Sequence, residues 1–135
     1  MSVKTPGSHT VDAGQTLKVV NINETPARKF EGRDNYFLLL PEEGGPKNFL
    51  VGYTIIWPGC ETKPAHSHNE MEEIYHITKG KGELVIDGET KTVSAGDVVY
   101  IPFGSTHLAR NPSTAPFEYL WVIAPPKLPD FLKKG

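Results

Sequence analysis

The stretch that decides the reading is Gly59-Cys60-Glu61-Thr62-Lys63-Pro64-Ala65-His66-Ser67-His68-Asn69-Glu70-Met71-Glu72-Glu73-Ile74-Tyr75-His76-Ile77-Thr78-Lys79-Gly80, taken with an answering stretch from Gly96 to Asn111. Side chains alternate along an extended strand, so His66 and His68 share one face and their rings can converge on one point. Glu73 follows after a short polar gap that can turn back toward that point. His107 comes just past a turn at Pro102-Phe103-Gly104. Three imidazoles and one carboxylate form a nitrogen and oxygen donor set suited to a divalent transition metal: Fe, Mn, Ni, Co or Zn.

Working outward, the chain reads as short strands broken by turns. Leu17–Ile22, Tyr36–Leu40, 49–57 and 73–78 are strand candidates, as are 83–86, 89–93, Val98–Ile101, a strand starting near His107, and Phe117–Ala124. Asp87-Gly88 is a hairpin signal, and Pro125-Pro126 ends the last strand. With 13 glycines and 12 prolines in 135 residues, long helices are disfavoured. Closely spaced short strands argue for a sandwich or barrel. Residues 1–16 lack apolar periodicity and read as a flexible arm, and 127–135 as a tail that docks through Leu128, Phe131 and Leu132.

The two histidine stretches resemble the paired motifs of the cupin superfamily. The first motif is matched by Gly59, His66-Ser67-His68, Glu73 after four residues and Gly80 after six more. The second is matched by Gly96, Pro102-Phe103-Gly104, His107 and Asn111, with every spacing kept. One departure is a six-residue spacer between Gly59 and His66, where the family usually has five. The resemblance implies an all-β, double-stranded β-helix (jelly-roll) barrel over residues 17–126, with motif one at 59–80 and motif two at 96–111. It implies one metal per chain held by His66, His68, Glu73 and His107. Spacing to Gly80 selects Glu73 over Glu72.

Strand parity from Glu73 places Tyr75 and Ile77 inward, and Ile74 and His76 outward. Tyr75 is a wall residue and a weak catalytic candidate through its hydroxyl. His9 reads as a histidine of the arm. Cys60 reads as a small half-buried residue, and Asn111 as a residue that ties a loop. Arg110 has the opposite parity to His107 and is not placed in the pocket. The aromatic residues Trp57, Trp121, Phe49, Tyr53, Phe103 and Tyr119 default to the core, and the face assignment of 49–57 is ambiguous. No basic cluster stands out beside the motifs.

A formal net charge of −2 with no Lys or Arg run argues against nucleic acid or an anionic membrane surface. A single cysteine excludes an intrachain disulfide, and no signal-like or membrane-length apolar run is present, so a cytoplasmic location is expected. Three functions stand open: a metal-dependent enzyme on a small organic molecule, a ligand-binding module, and a barrel merely stiffened by its metal. For the enzyme, dioxygenase-type oxidation leads, with isomerase, epimerase or lyase chemistry behind it. Small cupins commonly pair through their leading strands, so a homodimer is expected.

Overall fold

The structure is a computed structural model that describes residues 16–62, the backbone of 66–67, and residues 71–127. The arm at 1–15, His9, His68 and the tail beyond 127 lie outside the described residues. Ten strands make two antiparallel sheets. They are β1 (Arg28–Phe30), β2 (Arg33–Leu39), β3 (Leu50–Ile56), β4 (His66–Ser67), β5 (Glu72–Lys79), β6 (Lys81–Ile86), β7 (Glu89–Ser94), β8 (Val98–Ile101), β9 (Thr106–Arg110) and β10 (Phe117–Ala124). One sheet runs β1-β2-β3-β10-β5-β8 and the other β4-β9-β6-β7. This is the expected all-β barrel. Among the described residues, no helix is long and apolar enough to cross a membrane.

Alternation sets the inner face. β10 buries Phe117, Tyr119, Trp121 and Ile123 and turns the residues between them outward. β5 buries Glu73, Tyr75 and Ile77, while Ile74 and His76 are exposed. β3 buries Leu50, Gly52, Thr54 and Ile56, so a glycine and a threonine occupy core positions. Trp121 explains the glycine: it pairs with Gly52 across the ladder, and a Cβ at Gly52 would lie 2.1 Å from its ring. Gly82 likewise makes room for Phe117, at 2.4 Å. Each large side chain so buried contributes roughly 1.5–3 kcal/mol.

Three readings of the sequence are corrected. Leu17–Ile22 is not a strand: 16–20 has no regular structure, Leu17 and Val19 are exposed, and Ile22–Glu24 forms a 3-10 turn capped by the Asn21 side chain. Among the described residues, the apolar side chains there have no partner strand to alternate against. The polar stretch before Asp34 instead holds β1 and the start of β2, which pair as a hairpin. Phe49, Trp57 and Phe103 are exposed and not core. Their positions flank the ends of β3 or sit in the turn before β9, where the barrel offers no interior.

Two turns carry clear constraints. Gly80 has φ +80, and a side chain there would meet the Pro116 carbonyl oxygen at 2.2 Å. Asp87 and Gly88 both take positive φ, as the β6–β7 hairpin requires. Asn111 ties a loop as expected. Its buried side chain donates to the carbonyls of Ile56 and Ala115 and accepts from the backbone and hydroxyl of Ser113.

Gly52→Val should destabilise the fold by roughly 1–3 kcal/mol or more, because the indole of Trp121 has nowhere to move. A drop in the denaturant midpoint with an unchanged slope is the expected result. A second prediction concerns alkali. The Tyr53 phenol is pushed up to about 12, first by burial, with Thr78 and Glu118 bonded to it. A raised folded value means its stabilising contribution is whole below the unfolded value of 10.0 and is lost as pH rises toward 12. Tyr53→Phe should therefore flatten the fall in stability across that window, measured by urea unfolding.

Candidate metal centre

The site joins the two sheets. Glu73 comes from the inner face of β5 and His107 from the inner face of β9, and both are buried. His107 Nε2 lies 3.2 Å from Glu73 Oε1. The other ring nitrogen, Nδ1, lies 3.2 Å from the Ser105 carbonyl oxygen. A carbonyl only accepts, so Nδ1 carries the hydrogen, and in the neutral ring Nε2 presents its lone pair to the carboxylate. Two acceptors face each other across 3.2 Å only when a proton or a cation lies between them. A histidine whose far nitrogen donates to a backbone carbonyl is oriented as metal-bound histidines are. The donor set therefore fits a divalent transition metal.

β4 brings His66 to the same place in the fold. The backbone register sets His66 directly opposite His107, so the ladder puts these two residues side by side. Among the described residues, no three His, Cys, Asp or Glu side chains group together. The side chain of His66 and all of His68 lie outside that description. Glu72, one residue before Glu73, points away and takes a hydrogen bond from the Tyr100 hydroxyl on the outer surface. His76 is exposed on the outer face of β5. Arg110 bonds Glu83 at 2.8 Å and stays out of the interior. Cys60 is half-buried, packed on the core and against Gly32.

Aromatic rings wall the site. The Tyr75 ring stands edge-on to His107 with centroids 6.4 Å apart, and stacks on Tyr119 at 4.3 Å. Burial pushes both phenols far above the ordinary range, and Glu73's charge adds to the shift. Both therefore stay neutral. Deeper in, the Trp121 indole donates to Thr54 Oγ1 at 2.9 Å, and Thr54 donates to Asn35 at 2.6 Å. Tyr75 thus serves as a buried wall of the site through its ring.

Sequence reasoning missed a basic pair. Arg28 and Arg33 sit on the β1–β2 hairpin, on the face that also carries Phe30, Asn35 and Phe37. The Arg33 guanidinium lies 5.1 Å from the Phe30 ring centre and that of Arg28 lies 4.4 Å from Phe37. Arg33 is only 4% exposed. Burial weakens its hold on its proton, and Tyr119 and Tyr75 act in the opposite sense. The signal in the sequence was period-two spacing, Arg28-x-Phe30 and Arg33-x-Asn35-x-Phe37, hidden because 21–34 looked like a polar connection.

Comparison with known proteins places this geometry. A family model described as a cupin domain matches residues 52–123, more than half of the chain. An uncharacterized protein of Methanocaldococcus jannaschii is 38% identical over 61 residues, covering 45% of this chain and about half (49%) of that protein. The polyketide synthase CurC of Streptomyces cyaneus is 29% identical over 108 residues, 80% of this chain and 70% of that protein. A crystal structure of a predicted oxalate decarboxylase from Thermotoga maritima superposes with a TM-score of 0.71 at 27% identity, covering 79% of this chain and 98% of that one. With both histidine motifs inside the matched region and the two-sheet barrel around them, the chain belongs to the cupin family.

Proposed function

We propose that this cupin is a metal-dependent enzyme acting on a small organic molecule, with one divalent transition metal held by His66, His68, Glu73 and His107. The observation that carries the reading is the buried Glu73 oxygen facing His107 Nε2 at 3.2 Å, with the ring oriented from behind by Ser105. A bound metal supplies Lewis-acid polarisation of a substrate oxygen or, for iron or manganese, oxidation by dioxygen.

The chain's own residues do the rest. Glu73 supplies a carboxyl oxygen to the site, and the Ser105 carbonyl accepts from the His107 Nδ1–H. Tyr75 and Tyr119 remain neutral and, with Trp121 and Phe37, exclude water and present flat apolar walls to a substrate. Oxidation by dioxygen is the leading chemistry by the residue pattern. Likeness to a predicted oxalate decarboxylase favours a second, redox-neutral reading, such as decarboxylation, isomerisation or elimination. A binding module without turnover would share the same ligands.

The chain also has reason to pair. Leu17 is 94% exposed, and the outer faces of β5 and β8 present Ile74, Val98 and Tyr100 to solvent. A second copy that covers these residues gives a homodimer.

Metal content tests the site. His66→Ala, His68→Ala, Glu73→Ala and His107→Ala should each cut metal per chain, measured by mass spectrometry after identical purification, with circular dichroism confirming the fold. Glu73→Ala should be the mildest, since water can take the place of one carboxylate oxygen. Glu72→Ala and His76→Ala should keep full occupancy. Full occupancy in the His107 variant would overturn the assignment. Turnover of candidate substrates with and without oxygen then separates the chemistries: activity that persists anaerobically rules out the dioxygenase reading. Light scattering at micromolar concentration should give twice the chain mass, and a monomer at all dilutions would remove the dimer.

A further inference from the structure

The outer face of the six-stranded sheet is apolar across four neighbouring strands. Register sets Tyr100, Ile74, Val122 and Val51 side by side as one outward row. The adjacent row is Val98, His76, Leu120 and Tyr53. The members on β8 and β5 are exposed, and those on β10 and β3 are half-buried. A sheet face turned to water ordinarily alternates to polar residues. Strand spacing and pleat give the two rows roughly 300 Å², the size of a functional surface patch. A stable pair buries about 800 Å² on each partner, so the patch is the size of an apolar core that needs a rim. Charge at the rim identifies the partner. Glu72 opens β5 on the outer surface, and exposed Lys79 closes it. A second copy laid face to face, its β5 antiparallel, sets Glu72 of each chain against Lys79 of the other. A two-fold axis closes that arrangement, so the surface is complementary to itself.

Within the two rows, His76 alone gains charge between neutral and mildly acid pH. Its cross-strand neighbours are Leu120 and Val98, and Ile74 and Thr78 flank it on β5. The titratable and charged groups around it are Glu72 and Lys79 on β5, Glu118 on β10, Tyr100 on β8 and Asp97 just before β8. None lies opposite His76 in the ladder. Glu118 takes the Tyr53 hydroxyl at 2.8 Å, and Glu72 takes that of Tyr100. β7 also packs on β5, and its Glu89 and Lys91 pair with each other at 3.1 Å.

We propose that two copies pair through this face, β5 antiparallel to β5, and that His76 makes the pairing reversible with pH. The inference deepens the homodimer reading above and rests on it. An exposed imidazole takes a proton readily, whereas one sealed between apolar rows resists it, because a charge removed from water is costly. Neutral His76 therefore belongs to the pair and protonated His76 to the separate chains. Each dimer that parts takes up two protons. With solvated imidazoles charging at roughly 6.5, the dissociation constant should rise about 100-fold from pH 7.5 to 5.5.

The test is sedimentation velocity of the full chain across a dilution series at both pH values. Circular dichroism confirms the fold, and metal per chain is measured in each sample. The other histidines also take up protons in acid, so His76→Gln is the deciding variant: it stays polar and cannot charge. It should pair equally at both pH values. His76→Lys, charged at both, should leave monomers where the wild type pairs. Val98→Lys should do the same through the apolar rows. Lys79→Glu should weaken pairing, and Glu72→Lys added to it should restore the pair.

A wild-type dimer with one dissociation constant at both pH values overturns the role of His76. So does a pH dependence that His76→Gln retains, and either result leaves the homodimer reading standing. Pairing that ignores Val98→Lys overturns the choice of this face. A charge swap that fails to restore pairing overturns the antiparallel arrangement. A wild-type monomer at every dilution and both pH values removes the homodimer reading and this inference together. If that monomer pairs once residues 128–135 are deleted, the chain's own tail is the occupant of the face, which overturns a second copy in that place.

Discussion

A carboxyl group in a protein interior needs a counter-charge or a proton, and Glu73 Oε1 faces His107 Nε2 at 3.2 Å. Much of the architecture serves that approach. Glu73 belongs to the six-stranded sheet and His107 to the four-stranded one, so the pair exists only when both sheets close. Ser105 fixes the ring, and the turn at Pro102-Phe103-Gly104 delivers Ser105. On the other side, Glu73 sits in register with Ile123 and Ile101, which hold its strand between β10 and β8.

The interior is built by exchange of volume between facing strands. Trp121 needs the space over Gly52, and Phe117 needs the space over Gly82. The edge-on contact between Phe37 and Trp121 passes that packing on to β2. Two of the polar side chains inside, Asn35 and Thr54, are bonded to each other, and Thr54 also accepts from Trp121. A hydrophobic barrel can hold such groups because each hydrogen bond offsets the loss of water. The wall of the site is therefore a rigid mixed surface in which aromatic faces alternate with satisfied polar atoms.

Much of this was legible in the residues. The last strand matched at both ends, and β5 parity put Glu73, Tyr75 and Ile77 inward with His76 outward. Clean alternation with bulky inward residues made those strands readable. β3 was ambiguous because Gly52 and Thr54 occupy inward positions that pattern reading reserves for large apolar groups. Leu17–Ile22 misled in the opposite way: apolar and β-forming residues make no strand where no neighbour offers a ladder. The inward arginines were invisible for a third reason. A sequence pattern marks Arg as outward, and only the pairing of Phe30 with Arg33 reveals the face it occupies.

The β1–β2 hairpin lies at one edge of the six-stranded sheet and joins it through β2 and β3 alone. Its inner face carries charge into the barrel, yet among the described residues no ladder connects it directly to β5 or β9. Mutational drift on that hairpin can change the electrical character of the interior while β5 and β9 keep their register. A fold arranged this way lets one edge of the barrel diversify under selection while the strands at its centre are held constant.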